Sequence, residues 1–151
     1  MANETVYNRF KFRSASGLTD WDSGDPRMLL LESTAAGAYD PDLNSVADLL
    51  AVGSVAEMIA TNYARVALTG ESVTEDDTNN RANLDANDVV FTNLGVPAGT
   101  DGSAVAAVVY DEGGGTDATR WLISYHDAGF PVVTNGQPLT VATPSDVLRL
   151  T

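Results

Sequence analysis

From Glu71 onward the chain is broken at short, regular intervals by turn-forming residues, and this punctuation constrains the fold more than any other feature. The runs ESVTE, RANLD, DVVFTNL, SAVAAVVYDE, TRWLISYHD, FPVVTNGQPLTVAT and DVLRL are rich in residues that favour strands. Between them stand Asp76-Asp77, Asp85-Ala86-Asn87-Asp88, Gly113-Gly114-Gly115 and Asn135-Gly136. Short strands with turn signals every ~8–12 residues predict an antiparallel β-sandwich or barrel-like domain rather than alternating βα units. VVTNGQPL predicts a hairpin, because Asn-Gly supplies the positive φ angles of a tight primed turn. YDEGGGTDATRWLI predicts a second hairpin with a longer glycine loop.

The N-terminal half is less regular and carries one or two short helices. Asn3 is a candidate cap for a helix in which Val6, Tyr7 and Phe10 share a face, and SASG ends it. The alternation of Phe10 and Phe12 with Arg9, Lys11 and Arg13 also fits a strand. After the turn Ser23-Gly24-Asp25-Pro26 comes a buried strand from Arg27 to Glu32. AAGAYDPDLN reads as loop. SVADLLAV places Val46, Leu49 and Leu50 at helical spacing behind a Ser45 cap. YARVAL alternates and predicts a strand.

The 151 residues form a single β-rich domain, 1–151, long enough to bury roughly 68–70% of the unfolded surface. No cysteine is present, so disulfides, thiol nucleophiles and thiolate metal sites are excluded. No window approaches the ~18 uninterrupted apolar residues of a membrane span. MANETVYNRF lacks the basic-then-apolar order of a signal peptide. The net charge is −13, from 21 acids against 8 bases. It opposes binding to nucleic acid, where each phosphate contact needs a cation, and to anionic membranes.

Three of the bases, Arg9, Lys11 and Arg13, fall within five positions and flank Phe10 and Phe12. These five residues are the candidate protein interface, within an N-terminal docking segment spanning residues 1–17. The alternative is an ordinary amphipathic segment packed on its own domain.

Little in the remaining sequence builds chemistry. Glu75, Asp76, Asp77, Asp85 and Asp88 offer oxygens to a hard cation, but an EF-hand order is missing. Asp and Asn favour turns because their side chains bond nearby backbone, so these acids read as solvated turns. His126 is the sole histidine, and a catalytic triad would need it. Its neighbours Ser124 and Asp127 are read as facing away from the ring, which leaves it as a surface or interface histidine. DEGGGTD lacks the Lys-Ser/Thr of a phosphate cradle and carries its own acids. Trp121, Ile123 and Tyr125 form an i, i+2, i+4 row that reads as the buried face of a strand rather than a carbohydrate platform. No catalytic, cofactor-binding or metal residue is assigned.

The order of motifs resembles a group of small tailed-bacteriophage virion proteins, described as head decoration, cement or head-fibre proteins. The resemblance runs through MANETVYNRFK, DPRMLLLES, YDPDLNSVADL, YARVALTGESVTEDDTNNRANLDANDVVFTNLG and AAVVYDEGGGTDATRWLISYHDAGFPVVTNGQPLTVATP. It covers nearly the whole chain and is weakest over RFKFRSASGLTDWDSG. It implies a structural protein, without cofactor or enzymatic activity, made in a host cytoplasm and carried on the capsid exterior. The implied partners are the major capsid protein and further copies of the chain, as a homotrimer. The alternatives are a tail or head-tail connector component and a non-viral carbohydrate-binding β-sandwich module.

Overall fold

A computed structural model of the protein describes residues 5–33, 39–95, 103–143 and 148–150. In chain order the elements are β1 (Thr5–Val6), α1 (Asn8–Ala15), β2 (Pro26–Ser33), α2 (Val46–Ala51), β3 (Ala56–Glu57), β4 (Val66–Ala67), β5 (Ser72–Asp76), β6 (Arg81–Asp85), β7 (Val89–Phe91), β8 (Ser103–Ala104), β9 (Ala106–Asp111), β10 (Trp121–His126), β11 (Val132–Val133), β12 (Leu139–Val141) and β13 (Leu148–Leu150). The fold is mostly β, antiparallel and sandwich-like, with two short helices in the N-terminal half.

A six-stranded sheet runs β1-β10-β9-β2-β3, with β4 also on β2. Its centre is the long pairing of β2 with β9, from Pro26 opposite Asp111 to Leu31 opposite Ala106. Met28 and Leu30 face one side with Ala107 and Val109; Leu29 and Leu31 face the other with Ala106, Val108 and Tyr110. Both faces are covered, which is why MLLL and AAVVY read as unbroken apolar runs instead of alternating ones. The first face meets α1 through Phe10 and a layer of small sheets through Leu84, Val89, Phe91 and Ala104. Those sheets are β13-β6-β5, β12-β7 and β11-β8. The second face is closed by α2 through Val46 and Leu49 and by Tyr39 and Leu43.

The free edge of β10 is covered by β1, with Thr5 opposite Tyr125, and by an isolated bridge between Ser45 and Trp121. This edge pairing sets where the first helix begins. Thr5 and Val6 pair as strand, so α1 starts at Asn8 behind Tyr7, not behind Asn3, which lies outside the described residues. Val6 and Tyr7 are therefore not on a helix face with Phe10. The helix ends as the SASG segment predicts: Gly17 adopts φ 65°, with Leu18 N–H donating to the Arg13 carbonyl at 2.8 Å and Gly17 N–H to that of Ser14 at 3.1 Å. Ser45 caps α2 with a reciprocal pair: its hydroxyl accepts from Asp48 N at 3.2 Å, and Asp48 Oδ2 accepts from Ser45 N at 3.0 Å.

Three local expectations are corrected. VVTNGQPL is not a hairpin, because Val132 and Val133 pair with β8 while Leu139 to Val141 pair with β7. Gly136 does adopt φ 83°, but the strands on either side of it leave for different sheets. YARVAL contributes only Val66–Ala67 as strand. The third concerns β10. Ile123 is an extra residue in the register with β9, between Leu122 opposite Tyr110 and Ser124 opposite Val109. The bulge puts Ile123 in the first core and Tyr125 in the second, so Trp121, Ile123 and Tyr125 do not share one face. The glycine-loop hairpin is present as β9–β10, and AAGAYDPDLN is described only from Tyr39 onward.

Candidate functional site

Of the five interface candidates, Arg9 lies over the Trp121 ring and the other four split into three groups. Phe10 is 2% exposed and belongs to the first core, so it is withdrawn from any docking surface. Arg13 is turned inward: Nε donates to Thr19 Oγ1 at 2.8 Å, Nη2 to the Leu18 carbonyl at 2.8 Å, and Asp111 lies 3.7 Å away. Lys11 and Phe12 stay on the surface, Phe12 at 56% exposure beside Leu18 at 56%. Val6, Tyr7 and Phe10 are core residues, so residues 5–17 pack as part of the domain and present Lys11 and Phe12 on its surface.

Trp121 organises this surface. The Arg9 guanidinium lies 4.4 Å from its ring centroid and that of Arg13 5.2 Å, with Arg9 also 5.7 Å from Phe12. The indole face supplies negative potential to two cations. Sequence reasoning missed this role, since Trp121 lies far along the chain and reaches α1 only because β10 neighbours β1. Among the described residues Arg13, Arg27, Arg65, Arg81 and Arg120 each meet a carboxylate, whereas Arg9 and Lys11 meet none. Both Arg9 and Lys11 are on α1.

Sequence reasoning also missed the largest polar cluster. Arg65 bonds Glu57 through Nε at 2.7 Å and Nη2 at 2.6 Å, and Asp117 through Nη1 at 2.6 Å. Arg120 bonds the same Asp117 at 2.8 Å and Glu112 at 2.5 Å, and Glu112 lies 3.5 Å from Arg27. The two guanidinium groups stand 5.4 and 5.9 Å from the Tyr110 ring. Hydrogen bonds from Arg65 hold the Asp117 carboxyl below its usual range, and those from Arg120 do the same for Glu112. Arg65 is itself raised, first by its bonds to Glu57. Tyr63 joins by donating to Glu57 at 2.8 Å while accepting from Leu30 N at 3.0 Å. Alternating charges satisfy one another, so the cluster ties β2, β3, β4 and the β9–β10 loop together.

Ser124 Oγ lies 2.8 Å from His126 Nε2, which corrects the expectation that Ser124 faces away. Residues two apart on a strand share a face. Ser124 is fully buried, and a nucleophile there meets no substrate. His126 is half-buried, not a surface histidine, and burial pushes its pKa down to about 4 against an opposing pull from Asp127.

Asp76 and Asp85 bond locally, whereas Asp88 reaches across to the segment after β12. Asp76 Oδ2 accepts from Asn79 Nδ2 at 2.8 Å and Arg81 Nε at 2.8 Å, which lowers its pKa, the Asn79 bond contributing most. Asp85 Oδ1 accepts from Ala86 N at 2.9 Å, and Asp88 Oδ1 from Thr143 N at 3.0 Å. Among the described residues no group of three or more potential ligands converges on a metal position. The aromatic side chains are also committed: Tyr7, Trp21, Tyr110 and Tyr125 are buried, and Trp21 Nε1 donates to the Asp85 carbonyl at 2.9 Å.

Compared with protein-family models, curated proteins and solved structures, the chain matches none.

Proposed function

We propose that this chain is a structural virion protein that adds to an assembled phage shell and reinforces it by binding the major capsid protein, with neither cofactor nor chemistry of its own. The observation that carries the reading is the resemblance spread over nearly the whole chain, densest from Tyr63 to Gly95 and through GFPVVTNG. A second fact supports it. The side chains best suited to chemistry are spent inside the fold: Ser124 and His126 on each other, Arg65 and Arg120 on Glu57, Glu112 and Asp117. Against the carbohydrate-module alternative, Trp21, Tyr110 and Tyr125 are buried and Trp121 lies under two guanidinium groups.

The test is addition of the purified protein to shells assembled without it, followed by counting copies per particle. A saturating coat over the shell is the expected result. A single ring at one vertex transfers the chain to the head-tail connector, and no attachment overturns the reading.

A further inference from the structure

We propose that copies of this chain associate head to tail, the outer face of α1 in one copy seating against the β5–β6 hairpin of the next. The first half of the contact is a knob. Phe12, 56% exposed, projects from α1 with Lys11 and Arg9 beside it, and these two are the cations without a carboxylate among the described residues. The second half is a hollow of about 490 Å³ on the β5–β6 hairpin, where Val73 and Ala82 lie beside polar and charged residues: Arg81 is paired with Asp76, which leaves Glu75 and Asp77 as its excess acids. Val73 is 49% exposed, and neither Glu75 nor Asp77 has an ion-pair partner among the described residues. Phe12 flanked by Lys11 and Arg9 thus matches a hollow that offers Val73 and Ala82 beside Glu75 and Asp77, none of these four charges having an ion-pair partner among the described residues.

Two different patches meet in this contact, so it is heterologous, and a rotation that closes makes a ring. The charge match also explains how a body of net charge −13 approaches its own copy. Long-range repulsion is screened over about 8 Å at physiological ionic strength, while opposite charges in the contact act at a few ångströms. An eight-residue helix against one hairpin is small beside the roughly 800 Å² per partner of a standard interface. Association is therefore weak and depends on concentration.

The experiment follows mass in solution by sedimentation at rising concentration of the full chain, with thermal unfolding as a control for folding. Lys11→Glu is expected to weaken association about tenfold, as is the pair Glu75→Lys and Asp77→Lys. Phe12→Ala weakens it too. All four positions are exposed, so unfolding temperatures stay near wild type. Joining Lys11→Glu to the hairpin reversals re-forms opposite charges and restores association. A wild type that stays monomeric, reversals without effect, or a combined variant no better than its parents would overturn the contact. Shell binding is scored separately, so a monomer that still coats shells overturns this inference and leaves the decoration reading standing.

Discussion

Arg65 reaches 2.6 Å to Asp117 across 52 residues of sequence and shares that carboxylate with Arg120. The bond joins the segment before β4 to the β9–β10 loop, and α2 depends on the same loop, whose Asp117 carbonyl accepts Ala47 N–H at 2.9 Å. Arg65→Ala strips Glu57 and Asp117 of charge-assisted bonds in a half-buried setting. A loss of roughly 1–3 kcal/mol is expected by denaturant titration. Unchanged stability would show that solvent replaces the guanidinium without cost.

The same cluster sets an acid limit. Asp117 and Glu112 titrate lower in the folded chain than unfolded, so their contribution is full above the usual carboxylate range and is lost as pH falls through their folded values.

Phe10 and Phe12 stand two positions apart on α1 and are expected to differ sharply. Phe10→Ala empties a core position and is expected to cost roughly 3–5 kcal/mol, whereas Phe12→Ala stays within about 0.5 kcal/mol. Removal of residues 1–13 takes Val6, Tyr7 and Phe10 from the core and is expected to unfold the domain. A folded truncated chain, seen by near-ultraviolet circular dichroism, would return the segment to a detachable role.

His126 supplies a separate pH dependence. Its folded pKa of about 4 lies below the ordinary 6.5, so the unfolded chain binds the proton first. Its contribution is full above pH 6.5, declines as pH falls toward 4 and is flat below. The loss is about 3 kcal/mol for one such group. Wild type is expected to lose stability relative to His126→Gln over that window. Ring titration near 6.5 by NMR would contradict the buried environment.

Gly113 has φ 53°, and a Cβ there would collide with the Thr119 carbonyl oxygen. Gly115 has φ 80° and open space around it. Gly113→Ala is expected to cost more, roughly 2–3 kcal/mol against about 1 for Gly115→Ala, read as unfolding temperatures a few degrees apart. Equal temperatures would show that the loop relaxes around the new methyl group.

Local chemistry by itself determined much of this protein. Gly17 ends α1, the Ser45 and Asp48 pair starts α2, and the apolar run after Pro26 is a strand, because each is set by backbone bonds and burial within a few residues. Turn residues such as Asn80, at φ 52°, likewise mark the strand ends. Tertiary structure alone decided which strands pair and which side chains meet. Asn135-Gly136 has the chemistry of a hairpin turn, yet β11 and β12 gain more by completing the separate ladders of β8 and β7. The bulge at Ile123, the stacking of Arg9 on Trp121 and the sharing of Asp117 by two arginines join residues far apart in the chain. No local pattern carries such pairings, since their free energy exists only once the sheet has brought both partners out of water together.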